Sequence, residues 1–243
     1  MHFGHMKSCA HDKFLCEVES AISNIPYSMG YTPTAWRRGV NVMIHEKTNS
    51  DLVTNLRTIV LTEADFKFNN KYLSKTTLFQ AEKYNAIAKE QYGSRKGKSA
   101  IDHALHKRLT YDIMRSFKRP GALCSNDAKS CYDRVLHAVA MLAYRTLGIS
   151  KAPVESMLAT IQGMKHYIRT AFGDSELALD GSVNVKPFQG ILKGDGASPT
   201  TWVIISSPIL NMLRAAGNGG YFVESFQERS HTLLDTPLWM IQI

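Results

Sequence analysis

Two acids and a tyrosine in the middle of the chain have the residue types and spacing for metal-dependent chemistry. Asp127 follows a small, apolar run at residues 121–126 that predicts a buried strand, and Tyr132 and Asp133 come after a polar turn. An amphipathic helix that begins at Val135 is predicted to follow. Because Mg²⁺ binds through one or two carboxylates plus substrate phosphates, Asp127 is placed to hold such an ion. The alternative is a strand-end aspartate that caps the next helix.

Two basic residues belong to a predicted β-hairpin nearer the start of the chain. Residues 40–44 and 56–61 are rich in β-branched side chains and predict two strands joined by a polar loop. Lys47 lies on the loop and Arg57 on the returning strand. Arginine can fork onto phosphate oxygens and lysine supplies a mobile point charge, so the two suit a polyphosphate. The alternative is a solvated hairpin with two exposed basic side chains.

A basic segment at residues 93–99 contains Arg95, Lys96 and Lys98. It resembles a P-loop, but its glycines are one residue too close together and no buried strand precedes it, so we exclude a nucleotide triphosphatase. The three basic side chains favour contact with a nucleic-acid backbone, which is independent of base sequence and sensitive to salt. A solvated loop is the alternative. A helix is predicted over residues 99–115.

A glycine-rich segment at residues 190–199, called the glycine loop below, precedes a predicted helix. Gly190 and Gly194 allow the backbone to approach a ligand closely. Ser198 and Pro199 have the types expected at the start of a helix.

Further helices are predicted from apolar periodicity and from their end signals. The first is centred on residues 14–25 and is expected to end at Pro26 and Gly30. Another begins near Pro153, and its apolar stripe is expected to continue through Met164 and Ile168.

These segments, taken in order, resemble reverse transcriptases, especially those of non-LTR retroelements and group II introns. Asp127, Tyr132 and Asp133 match motif A of that family, and the glycine loop matches motif B, G-x-x-Q-G-x-x-x-S-P. The hairpin resembles the fingers hairpin, and Gln91, Gly93 and Ser99 match the stretch that links fingers to palm. The resemblance covers roughly residues 31–214.

The resemblance implies a role for each candidate residue. Asp127 would bind catalytic Mg²⁺, and Tyr132 would pack under the sugar of the incoming nucleotide, although it could equally be a core aromatic. The triphosphate would be held by Arg57 and Lys47. The nucleotide would also be contacted by Gly190, Lys193 and Gly194. The template would be contacted by Arg95, Lys96 and Lys98.

Two departures from the family pattern affect the chemistry that the resemblance implies. Lys193 stands where the family usually has glutamine, which adds a charge and removes a hydrogen-bond acceptor. The sequence has no Asp-Asp pair for motif C; Asp235 is either the remnant of one, and then a metal ligand, or a chance acid. We therefore expect a copy that is truncated before or within motif C and inactive on its own.

The expected fold class is α+β, with the fingers and a partial palm of a right-hand polymerase, an antiparallel palm sheet packed on helices, and no thumb. The expected domains are an N-terminal helical extension at residues 1–30, fingers at 31–119 and the partial palm at 120–243. The expected function is RNA-directed DNA polymerase activity, with RNA template, DNA primer and deoxynucleoside triphosphates as partners. The alternative is a non-enzymatic remnant that binds nucleic acid through a basic surface.

Composition agrees with a polyanionic partner. The 243 residues carry a net charge of +8 and have a pI of about 9.3. No run approaches the ~18 apolar residues of a membrane span, and the N-terminal residues lack the apolar core of a signal peptide. We expect an intracellular protein, cytoplasmic or nuclear, that does not contact a membrane. The four cysteines have spacings unlike those of zinc sites, so free thiols are predicted.

Overall fold

A computed structural model describes residues 4, 7–8, 10–46, 52, 55–118, 124–125, 128–180, 188–217 and 241–242. The chain divides into two compact units that are discontinuous in sequence. The first unit contains residues 1–84 and 130–202, and the second contains residues 85–129 and 203–243. The predicted domains were consecutive segments, at residues 1–30, 31–119 and 120–243, and their assignment as extension, fingers and palm stays a prediction.

The described strands of the first unit form a four-stranded mixed sheet. The predicted hairpin is confirmed as β1 (Arg38–His45) and β2 (Leu56–Leu61), which pair antiparallel with Val42 opposite Ile59. On its other side β1 pairs parallel with β4 (Lys165–Thr170), and β4 pairs antiparallel with β5 (Gly173–Asp174). The β1–β4 pairing is parallel because the chain returns to the sheet through intervening helices. The predicted antiparallel palm sheet stays a prediction.

In the described part of the first unit, one long helix precedes the hairpin in sequence and another follows it. Helix α1 (Lys13–Met29) is capped by the Asp12 side chain, which accepts from the backbone N–H of Leu15 at 3.0 Å. It runs through Pro26 and ends at Gly30, which has a φ of 65°. The prediction that Pro26 contributes to ending this helix was wrong. Helix α2 (Ala64–Lys83) follows β2.

Two further helices precede β4. A short 3-10 turn at Tyr132–Arg134 leads into α4 (His137–Thr146), which begins two residues later than predicted. Helix α5 (Lys151–Gln162) then leads to β4.

The prediction that the α5 stripe continues through Met164 and Ile168 was wrong. The helix ends at Gln162, and Ile168 lies in β4 opposite Asn41 of β1. Met164 is fully buried, and its sulfur occupies the space beside Gly39, where a Cβ atom would lie 2.6 Å from Sδ. Pairing with β1, which is distant in sequence, therefore decides the conformation of this segment.

The core of the first unit combines aromatic packing with a buried polar contact. The rings of Trp36 and Phe66 lie 5.4 Å apart, and both side chains are buried. Tyr144 is fully buried and its hydroxyl lies 2.8 Å from Oγ1 of Thr201. Burial raises the pKa of Tyr144, so this tyrosine is a structural hydrogen-bonding group.

The described part of the second unit contains the predicted helix α3 (Ala100–Ser116), which Ser99 and Asp102 cap reciprocally. Strand β3 (Cys124–Ser125) lies within the predicted strand 121–126 and pairs parallel with β6 (Ile241–Gln242). Helix α6 (Ser198–Ala215) follows the glycine loop, and its residues from Val203 onward belong to this unit. Among the described residues, the helices are too short or too polar to cross a membrane.

Candidate functional site

One end of the glycine loop is hydrogen-bonded to the turn that contains Tyr132. The backbone N–H of Gly190 donates to the carbonyl of Val135 at 2.8 Å, and that of Ile191 donates to the carbonyl of Tyr132 at 2.9 Å. A Cβ atom on Gly190 would lie 2.9 Å from the Cα and carbonyl oxygen of Asp133, and Gly190 has a φ of 90°. Only glycine fits this contact without displacing backbone.

Gln189 and His137 extend this contact on the side of α4. The backbone N–H of His137 donates to Oε1 of Gln189 at 2.9 Å, and Nε2 of His137 lies 2.7 Å from the carbonyl oxygen of Gly190. Because a carbonyl oxygen only accepts, Nε2 must carry the proton. The imidazole is 5% exposed, and burial lowers its pKa. Neither residue was predicted as part of the site. The sequence signal that could have identified Gln189 was its position directly before Gly190.

The buried imidazole predicts a pH dependence of stability. His137 has a lower pKa in the folded protein than the ordinary 6.5, so the unfolded chain takes up its proton more readily. Stability should be complete above about pH 6.5 and fall as the pH drops below that value. We expect the free energy of unfolding of His137→Gln, measured by urea titration, to decline less between pH 7 and 5 than that of the wild type.

His103 and His166 also have pKa values lowered by burial, but they are present in both proteins and cancel in that comparison. The glutamine keeps an N–H donor for the Gly190 carbonyl. Identical pH profiles for the two proteins would contradict a buried, neutral His137.

The other end of the glycine loop contacts β2. The backbone N–H of Val60 donates to the carbonyl of Lys193 at 2.8 Å. A Cβ atom on Gly194, which has a φ of 103°, would lie 3.1 Å from Cγ2 of Ile59. The loop therefore joins the Tyr132 turn to the strand that carries Arg57.

Asp195 anchors the middle of the loop to α2. Its Oδ1 accepts from Nδ2 of Asn70 at 2.9 Å, and its Oδ2 accepts from the backbone N–H of Ala197 at 3.0 Å. Burial raises the pKa of Asp195, against the opposing effect of these hydrogen bonds. The groups that donate to Asp195 are amides of α2 and of the loop, so Asp195 holds the loop in position. Sequence reasoning did not identify this residue.

The two predicted nucleotide-binding cations in the described part of this unit both contact carboxylates. Nη2 of Arg57 lies 2.7 Å from Oε1 of Glu46, and Nζ of Lys193 lies 2.7 Å from Oδ2 of Asp133. Arg57 is three residues from Val60, a distance of about 10 Å along a strand. The structure thus brings Lys193 and the strand bearing Arg57 together at the glycine loop.

Tyr132 is half-buried, with its ring 6.4 Å from the ring of Trp202. Burial raises its pKa, so the phenol stays protonated at neutral pH. Three further predicted site residues, Lys47, Asp127 and Asp235, lie outside the described residues.

The predicted template-binding residues lie in the second unit and make different contacts. The Arg95 guanidinium donates to the backbone carbonyls of Ala88 and Gln91 at 3.4 and 3.3 Å, so it supports its own loop. Lys98 lies with Nζ 4.9 Å from the ring centroid of Tyr92, while Lys96 is exposed.

The Tyr92 ring is held in place from several sides. It stacks on His103 at 5.1 Å, and its hydroxyl lies 2.9 Å from Nδ1 of His106. Lys98 is therefore positioned over a fixed aromatic ring rather than on a free loop. Within the described ranges, no group of three or more His, Cys, Asp or Glu residues is close enough together to hold a metal ion.

Comparison with known proteins relates this arrangement to a family. The family model described as reverse transcriptase (RNA-dependent DNA polymerase) matches residues 44–226. The match includes β2, the Tyr132 turn and the glycine loop. No curated protein matches the chain.

Proposed function

The chain belongs to the reverse transcriptase (RNA-dependent DNA polymerase) family, and on that premise we propose that it is an RNA-directed DNA polymerase domain of a retroelement. The finer assignment is to the non-LTR and group II intron type. The reaction would transfer a deoxynucleotide to the 3′-hydroxyl of a DNA primer on an RNA template. The observation that carries the proposal is the family match over residues 44–226. Within the matched residues, the glycine loop is hydrogen-bonded to both the Tyr132 turn and β2.

The described residues have distinct roles in this proposal. The strand and loop would present Arg57 and Lys193 to the phosphates of the nucleotide, with Lys47 on the hairpin loop as a further cation. The half-buried Tyr132 would support the sugar and disfavour a 2′-hydroxyl. Gly190 lets the loop lie directly against the backbone of the Tyr132 turn.

The proposed reaction depends on Mg²⁺, with Asp127 and Asp235 as the protein ligands of the ion. When bound, the ion would neutralise negative charge on the phosphates in the transition state. The sequence has no Asp-Asp pair, and Asp235 is the acid that we propose as the second carboxylate.

Primer extension tests the proposal directly. The purified chain would be incubated with an RNA template annealed to a DNA primer, the four deoxynucleoside triphosphates and Mg²⁺. The sequence pattern led us to expect a chain that is inactive on its own. The proposal that Asp235 supplies the second carboxylate predicts instead that the primer is extended, and that extension stops when the ion is chelated. Salt-sensitive binding of the duplex without incorporation would contradict the proposal and support the nucleic-acid-binding remnant.

The basic segment of the second unit predicts a change in the salt dependence of template binding. Replacing Lys96 and Lys98 with glutamine would remove two proposed phosphate contacts. Each such contact contributes about 0.7 to the slope of log affinity against log salt on a single strand. We expect the slope for single-stranded RNA, measured by fluorescence anisotropy, to fall by about 1.4.

A variant with the same charge loss controls for net charge. Lys13 and Lys151 form ion pairs on helices of the first unit, with Glu17 at 3.9 Å and Glu155 at 2.8 Å. Replacing both lysines with glutamine should leave the slope nearly unchanged. Equal slopes for the two double variants would show that the 93–99 segment makes no specific contribution.

A further inference from the structure

Each predicted nucleotide-binding cation in the described part of the first unit is held by an acid from a different segment of the chain. Arg57 of β2 contacts Glu46, which follows β1, and the two segments are joined by the hydrogen bond from Glu46 N–H to the Asn55 carbonyl at 2.9 Å. Lys193 contacts Asp133, which is 60 residues away. Both contacts are 2.7 Å long.

Backbone pairing fixes the position of the Lys193–Asp133 contact. The hydrogen bond from Ile191 N–H to the Tyr132 carbonyl and the close approach of Gly190 to Asp133 bring the two segments together. The backbone contacts do not depend on the ion pair. Removal of either charge should therefore leave the loop in place.

The two carboxylate side chains are exposed enough to solvent to move away from their cations. The Asp133 side chain is 53% exposed and the Glu46 side chain is 49% exposed, so either carboxylate can turn into water without being buried elsewhere. Ion pairs at this degree of exposure are weak. A polyphosphate carries several charges, so it should displace the carboxylate from each of these cations that it contacts.

We propose that Glu46 and Asp133 are stand-in anions, which pair with Arg57 and Lys193 in the nucleotide-free protein and are displaced by the triphosphate. This inference rests on the proposed function, because it takes the nucleotide to bind at these cations. The two acids then limit nucleotide affinity, because the triphosphate has to displace them, and they also reduce binding of weaker anions. A carboxylate that merely braced the site would have the opposite effect on binding when removed.

The test measures binding rather than turnover. The dissociation constants of dTTP and of inorganic tripolyphosphate would be measured by calorimetry in magnesium-containing buffer for wild type, Glu46→Gln and Asp133→Asn. We expect each substitution to tighten binding by up to about fivefold, the largest effect that an exposed ion pair allows. Arg57→Gln and Lys193→Gln should instead weaken binding by about tenfold or more.

Double variants separate competition from a general effect of charge. Glu46→Gln should have no effect once Arg57 is glutamine, and Asp133→Asn should have none once Lys193 is glutamine. The matched control is Glu155→Gln, which breaks the exposed pair with Lys151 and changes the net charge equally. It should alter the affinity by less than about twofold.

Each outcome decides between the two proposals. Weaker or unchanged binding in Glu46→Gln and Asp133→Asn, with wild-type binding intact, would overturn this inference alone. If Asp133 instead helps to hold the metal, Asp133→Asn would weaken binding, which also overturns it. Failure of the wild type to bind dTTP or tripolyphosphate would contradict the proposed function and this inference together.

Discussion

Gly190→Ala should destabilise the protein by about 3 kcal/mol and detach the glycine loop from the Tyr132 turn. About 1–2 kcal/mol comes from placing a side chain at a positive φ, and the remainder comes from the overlap of the new Cβ with backbone atoms of Tyr132 and Asp133 at 2.9 Å. Those atoms cannot turn aside as a flexible side chain can. The free energy of unfolding by urea and the dissociation constant for dTTP would both report the change.

Gly148→Ala is the matched control for this prediction. Gly148 has a φ of 78°, and a Cβ there meets no described atom within 4 Å. Its substitution should cost only the conformational part, about 1 kcal/mol, and leave nucleotide affinity unchanged. Equal losses of stability in the two variants would show that the loop does not depend on close contact at Gly190.

Asp127→Asn should reduce incorporation by about a thousandfold or more. The substitution removes the charge proposed to bind Mg²⁺ while keeping the size of the side chain, and stabilisation of phosphate charge by such an ion is worth several kcal/mol. The rate of single-nucleotide extension on an RNA template measures the effect. We expect affinity for the primer–template duplex to stay within about twofold of wild type.

Asp133→Asn distinguishes loss of a metal ligand from loss of any acid nearby. It makes the same chemical change at an acid that pairs with Lys193 and that the proposal does not assign to Mg²⁺, so incorporation should persist. Retention of incorporation by Asp127→Asn would contradict the assignment of Asp127. Loss of incorporation in both variants would show that Asp133 also takes part in the chemistry.

Local sequence patterns were sufficient for several elements that position the site. The β-branched runs predicted the hairpin that carries Arg57, and β2 has the bounds that were predicted. Ser99 predicted the start of α3, and Ser198 that of α6. These signals depend on neighbouring residues, because caps and strand propensity act over a few positions.

The segment at residues 164–170 shows where local patterns failed. Its apolar spacing resembled a continuation of α5, but the chain turns at Gly163 and pairs with β1. Burial of Met164 beside Gly39 and backbone hydrogen bonds with β1 outweigh a helical periodicity. Neither partner is visible from the segment itself.

The sequence alone determined which residue types stand in the site and their order along the chain: acids, a tyrosine, cations and a glycine-rich loop. Only the tertiary structure decided their partners. His137 donates to the Gly190 carbonyl and to the Gln189 side chain, Asn70 holds Asp195, and acids hold Arg57 and Lys193. The reason is physical, since spacing records what is near along the chain, whereas most of these contacts join segments that only backbone pairing across the fold brings together.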